Sequence, residues 1–208
     1  MKKIIKALIL LLVISPTIFA SSINFSSGYT TLSMKEGNQQ VSLNNSAYVK
    51  IDNLELTADQ IDISGENYND IECNNNVKFI DSENEITLRC SSLKYNQSTK
   101  VLLINGWVEI NDLKNNIFAT ASYLKYDLEN SLLDLMIEVK LLHDSDNSIM
   151  KCNSDSLRFD MQNNNLSLLG NSKVIWQNNT YSAQAISINL ENNDISMDGN
   201  IEANITTE

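Results

Sequence analysis

The chain has 208 residues, enough for one domain or two small ones, and 42% hydrophobic against 20% charged residues permits a packed core. Acidic residues outnumber basic ones 26 to 15, a formal charge of -11, which argues against a nucleic-acid partner because neutralising phosphates requires clustered Lys and Arg. A single histidine, His143, removes most His-dependent metal and triad chemistry.

Reading from the N-terminus, Lys2, Lys3 and Lys6 precede an apolar stretch from Ala7 to Ile14, then Pro16 and the small residues Ala20, Ser21 and Ser22. That layout predicts a secretory signal peptide over residues 1–22, cleaved near Ala20–Ser22, and an exported, periplasmic protein. The apolar run is short for a membrane span of about 20 residues, although retention as an N-terminal anchor is the alternative. No Cys lies near the cleavage point, the first being Cys73, so lipidation of a new N-terminal Cys is excluded.

A repeat of about 31 residues occupies the rest, residues 23–208, as one domain. Five segments align on a small residue, at Ala58, Cys90, Ala121, Ser154 and Ala183, with spacings of 32, 31, 33 and 29. An aliphatic side chain follows three positions later (Ile61, Leu93, Leu124, Leu157, Ile186), and a larger apolar one two beyond that (Ile63, Tyr95, Tyr126, Phe159, Ile188). A weaker sixth copy begins at Ile23 and Phe25. Within each copy the period is two, as in Leu54, Leu56, Ala58, and the parity shifts after the small residue. Such a shift without a turn signal predicts a bulge or corner at the small residue.

Polar links follow, such as Asn96-Gln97-Ser98, Glu129-Asn130-Ser131 and Asn163-Asn164-Asn165, and they suit hairpin turns. Each copy then has a second alternating strand, for example Ile71, Cys73, Val77, Phe79, or Leu102, Ile104, Val108, Ile110. No segment after the leader sustains the helical i, i+3, i+4, i+7 pattern. The expectation is an all-β, solenoid-like stack of about twelve bent antiparallel strands, apolar side inward.

Little in this chain suggests catalysis. Cys73, Cys90 and Cys152 fall on inward positions and read as small core hydrophobes, with a Cys73–Cys90 bridge as the alternative. His143 lies in a polar link and reads as a solvated surface residue. Asp144, Asp146 and Asn147 lack the glycine and bidentate Glu of a calcium loop. No G-x-S-x-G, H-E-x-x-H, C-x-x-C or phosphate-binding glycine loop occurs, and Trp107 and Trp176 are isolated. The expectation is a non-enzyme without cofactor or metal.

What remains is the architecture. Bent strands with an apolar interior make a trough; if its side stays open it suits acyl chains, each buried CH₂ contributing about 0.8 kcal/mol. Its wall would comprise Ile61, Ile63, Val77, Phe79, Leu93, Tyr95, Val108, Ile110, Leu124, Tyr126, Val139, Leu141 and Phe159. The alternative is an exported structural or adhesive repeat protein whose closed core these residues fill. The stack also leaves two edges without Pro, near 23–32 and 195–205, which suit head-to-tail pairing with another copy.

Ala58-Asp59 with Ile61 and Ile63, Ala121 with Leu124 and Tyr126, Asn75-Asn76-Val77, Gly106-Trp107-Val108 and Gly199-Asn200-Ile201 recur at this fixed period over about residues 23–205. In that pattern the chain resembles the OstA-like (LptA) family of periplasmic lipopolysaccharide-transport bridges. The resemblance implies a twisted β-jellyroll, acyl chains shielded in an open interior, and same-fold partners at the inner and outer membranes. It also implies outer-membrane biogenesis as the process served, by an LptA-type bridge or by an anchored LptC-like member. Without Lys2, Lys3 and Lys6 the chain carries -14, which leaves two expectations for an anionic lipid: a groove locally less acidic, or a different cargo.

Overall fold

The computed structural model describes residues 22–35, 38–145 and 148–206; the leader segment lies outside these residues. Over the described residues the fold is all-β, with one short 3-10 turn at Glu66–Tyr68. Its strands are β1 (Ile23–Ser26), β2 (Tyr29–Lys35), β3 (Asn38–Ile51), β4 (Leu54–Ser64), β5 (Asp70–Asp81), β6 (Ile86–Asn96) and β7 (Val101–Asp112). There follow β8 (Ile117–Asp127), β9 (Leu132–Ser145), β10 (Ser148–Asp160), β11 (Asn165–Trp176), β12 (Asn179–Asn189), β13 (Ile195–Asp198) and β14 (Glu202–Asn204). They form one antiparallel sheet in which each strand from β3 to β12 pairs with the next in sequence.

Both ends follow the same plan with an interruption. β2 pairs with the first half of β3 and β1 with the second half, so β1 and β2 are two halves of one bent strand. β13 and β14 divide β12 in the same way. Counting each such pair once gives the expected twelve bent strands.

Every pair of consecutive strands from β3 to β12 shifts register at mid-length. Between β5 and β6, four steps from Cys73 to Val77 stand opposite three from Cys90 to Leu93. The extra residue therefore lies on the second strand of each copy, where two consecutive residues adopt positive φ at Asn75-Asn76, Ile137-Glu138, Gly170-Asn171 and Gly199-Asn200, and Gly106 alone does so on β7. This corrects the placement of the corner at the small residue. Ala58, Ala121, Ser154 and Ala183 are the buried residues facing the bulge, and the bulge itself needs backbones that tolerate left-handed conformations, hence Asn and Gly. Ile137, at φ 67 and 59% exposed, is the exception, since a β-branched residue is strained there.

The corners divide the sheet into two arms. The first arm carries the turns at 52–53, 82–85 and 113–116; the second carries those at 65–69, 97–100, 128–131, 161–164 and 190–194. The inward side chains of both arms form one continuous hydrophobic cluster from Val41 to Ile188. Outward positions are mostly polar, as the alternation requires.

Six hairpins close with one device. Asp81, Asn96, Asp112, Asp127, Asp160 and Asn189 each accept a hydrogen bond from the backbone N–H three residues on, and Glu85, Lys100, Asn116, Ser131, Asn164 and Asn193 take positive φ one residue later. In four of them Asn84, Asn115, Asn130 and Asn163 also donate their side-chain amide to the carboxylate. A type I turn followed by a left-handed residue is a common hairpin closure, and Asp-x-x-Asn is its signature here.

Candidate functional site

All thirteen residues expected to line a groove face the interior between the arms and are buried there. Ile61, Phe79, Val108, Leu124 and Tyr126 are fully enclosed, and Ile63, Val77, Leu93, Tyr95, Ile110, Val139, Leu141 and Phe159 nearly so. Val77, Phe79, Val108, Ile110, Val139 and Leu141 belong to the first arm; Ile61, Ile63, Leu93, Tyr95, Leu124, Tyr126 and Phe159 to the second. Their side chains meet one another, so the trough is filled from within.

The interior opens at its N-terminal end. Ile23 and Phe25 on one side and Leu32 and Met34 on the other line an apolar cavity of about 430 Å³ with Val41, Ile63 and Tyr68. Phe25, Leu32 and Met34 are exposed, and among the described residues no further strand covers β1 and β2. At the other end Ile201 and Ile205 are exposed beside β12.

Along the side of the trough the tips of the arms meet. The Tyr126 hydroxyl of the second arm donates to Asp81 Oδ2 on the first at 2.8 Å and accepts from Asn84 Nδ2 at 3.1 Å. Asp81 is 2% exposed and also accepts the Asn84 amide and the N–H groups of Glu83 and Asn84, so four donors satisfy its oxygens. Burial and the adjoining Asp81 charge push the Tyr126 hydroxyl far above the usual tyrosine range, so it stays a donor. Sequence periodicity placed Tyr126 on the apolar wall but missed this clasp; the signal lay in an Asp at the end of an apolar alternation (Val77, Phe79, Asp81), an inward position for a charge.

Beside the clasp lies an opening of about 340 Å³ between the two rows of turns. Ile51, Asp52, Asn53, Leu54, Asp81, Glu83 and Asn84 line it from the first arm, and Tyr95, Lys100, Leu128, Glu129 and Ser131 from the second. Tyr95 is only 5% exposed, and burial, reinforced by Asp52 and Asp81, pushes its hydroxyl up to about 12.

The remaining expectations divide. Cys73, Cys90 and Cys152 are all free thiols; Cys73 and Cys152 are buried, and half-buried Cys90 donates to the Ser92 carbonyl at 3.3 Å. Burial pushes Cys152 up to about 12 and Cys90 to about 11, which disfavours the reactive thiolate. His143 is not a surface residue of a link. It sits on β9 at an inward position between Ile117 and Met150, half-buried, and burial lowers its pKa. Asp146 and Asn147 of the weak calcium pattern lie outside the described residues. Among the described residues no cluster of His, Cys, Asp or Glu could hold a metal, and no helix is long and apolar enough to cross a membrane.

No protein-family model matches the chain, and no curated protein matches it in sequence. Among solved structures, it is similar to LptH, the LptA-homologous periplasmic component of the lipopolysaccharide transport device from Pseudomonas aeruginosa. That match has 11% identity, covers 89% of this chain and 96% of that one, and has a TM-score of 0.29. A score so low carries no argument about this chain, whose all-β antiparallel fold rests on its own strand pairing.

Proposed function

We propose that the chain is an exported, non-enzymatic lipid-binding module that carries acyl chains between its two arms. The supporting observation is the apolar interior itself, which runs through every bent strand and emerges uncapped among Phe25, Leu32 and Met34. Acyl chains would enter between arms that are joined covalently only along the corners, among the buried apolar side chains that include Phe79, Val139 and Phe159. The periplasmic location, the lipopolysaccharide-like cargo and the place in a bridge between inner and outer membranes follow from the leader and the family resemblance. So do the same-fold membrane partners. In this reading the edges at 23–32 and 195–205 pair head to tail, since β1 with β2, and β13 with β14, present unpaired backbone on their outer sides.

A second reading is a closed structural β-repeat, favoured by the near-complete burial of the interior. A photo-crosslinking amino acid at Phe159 or Val139, activated in living cells, distinguishes the two. Lipid adducts support transport; cross-links to protein only, at both sites, overturn it in favour of the closed core.

A further inference from the structure

The outer faces of the two arms differ in charge. In the first-arm halves of β8–β11 the outward side chains include Lys140, Lys151 and Lys173, with Asp144 as the one carboxylate among the described residues. The second-arm halves of the same strands present Lys125 and Arg158 against Asp127, Asp134 and Asp160. Arg158 is held by Asp134 at 2.7 Å, whereas none of the three first-arm lysines forms an ion pair among the described residues. A chain with 26 acidic and 15 basic residues thus gathers three such cations on one face.

Exposed apolar side chains are interleaved with them. Phe118 stands opposite Leu142, Leu142 opposite Lys151, and Lys151 opposite Ile175. In the adjoining row Lys140 and Lys173 flank Asn153. Ile149 lies two positions before Lys151 on the same face of β10. Phe118, Leu142 and Ile149 are 43%, 42% and 53% exposed, so the alternation that keeps most outward positions polar is broken here three times within four strands. A strand spacing of about 4.8 Å confines the set to a patch about 15 Å across.

Composition selects the partner. Lysine is depleted from the cores of protein–protein interfaces, so an apolar cluster threaded with three lysines is poorly suited to a protein. Phenylalanine and leucine beside lysine suit the headgroup layer of a membrane, where apolar groups reach the acyl boundary and ammonium groups meet phosphates. The carboxylates of the second arm do not cancel this attraction. Packed sheets lie about 10 Å apart, beyond the screening length of about 8 Å at physiological salt.

We propose that this face docks the protein on the surface of an anionic lipid bilayer. Phe118, Leu142 and Ile149 enter the headgroup layer, and Lys140, Lys151 and Lys173 lie against lipid phosphates. The face is on the outside of the fold, so the proposal goes beyond the lipid-binding reading and stands whether or not the interior takes acyl chains.

The test places a photo-crosslinking amino acid at Phe118 and, separately, at Leu103, which is 39% exposed on the outer face of the second arm. The full chain is irradiated with vesicles of phosphatidylglycerol and phosphatidylcholine. Lipid adducts should be at least about ten-fold more abundant at Phe118 than at Leu103 and should decline as salt rises. The leader is common to both samples, so the ratio between the two positions isolates the face. Lys140→Gln with Lys151→Gln and Lys173→Gln, all exposed, should lower the Phe118 yield at least about ten-fold while the far-UV spectrum stays unchanged. Pure phosphatidylcholine vesicles should give a similarly low yield. Equal yields at Phe118 and Leu103, a yield untouched by the triple substitution, or protein cross-links in place of lipid adducts overturn the docking face. Cross-linking at Phe159 and Val139 judges the interior separately.

Discussion

Asp81 and Asp112 close equivalent turns one repeat apart, and each is 2% exposed, yet they stand in different company. Asp81 is met across the trough by the Tyr126 hydroxyl. Asp112 is held within its own turn, by the backbone and side-chain amides of Asn115 at 2.9 and 2.7 Å, and the repeat position that corresponds to Tyr126 carries Phe159. A phenylalanine at that repeat position has no hydroxyl to donate. At Asp112, burial outweighs Asn115 and Lys114 and holds the carboxyl above the usual aspartate range. The difference teaches that the repeat fixes where a carboxylate is buried, while the residue opposite decides whether that burial also ties the arms together.

The comparison breaks most severely at Asp81→Ala, which strands the Tyr126 hydroxyl in the interior. We expect a loss of about 3 kcal/mol in chemical denaturation, against about 1 kcal/mol or less for Asp112→Ala, because no buried partner is orphaned there. Equal losses at the two sites would mean that the clasp adds nothing beyond the shared turn.

Tyr126→Phe makes the first site resemble the second. Asp81 keeps its three other hydrogen bonds, so the expected loss is about 1.5–2 kcal/mol, appropriate to one hydrogen bond to a charged acceptor. The reverse exchange, Phe159→Tyr, sharpens the point. With Asp112 as acceptor it should be tolerated within about 1 kcal/mol, whereas an unpartnered buried hydroxyl would lower stability by about 1–3 kcal/mol. Alkylation offers an independent readout. Cys73 should react faster in Tyr126→Phe than in wild type, while Cys152, buried farther along the stack, should not.

The smallest effect is a titration. Because the folded-state pKa of Asp112 is raised above its unfolded value of 3.8, its charge opposes folding at neutral pH. That penalty is relieved as pH falls through the folded pKa and is gone below 3.8. Asp112→Asn should therefore equal or slightly exceed wild type at pH 7 and lose the advantage near pH 4, as followed by thermal melts. Asparagine already plays the same capping part in a turn of the second arm, where Asn189 accepts the N–H groups of Glu191 and Asn192. A wild-type advantage that grows with pH would contradict the assignment.

The sequence alone sufficed for strand identity, strand number and the inward set. A period of two with burial on one face leaves no freedom in register, so Ile61, Leu93, Leu124 and Leu157 had to face the core in every copy. The side of the bulge was legible only in part: the parity shift after Ala58 and Ala121 announced a corner, but which strand holds the extra residue depends on φ at Asn75-Asn76 and Gly106. Local composition suggested those residues without assigning them. Tertiary structure alone decided which turn of the first arm meets which strand of the second. Asp81 and Tyr126 are 45 positions apart, not a whole number of periods, and they meet because the sheet folds along its corners. Periodicity is a one-dimensional signal that reports each side chain's face. The partner across the trough depends on how the two arms close, and that geometry placed Tyr95, Asp52 and Glu129 around one opening.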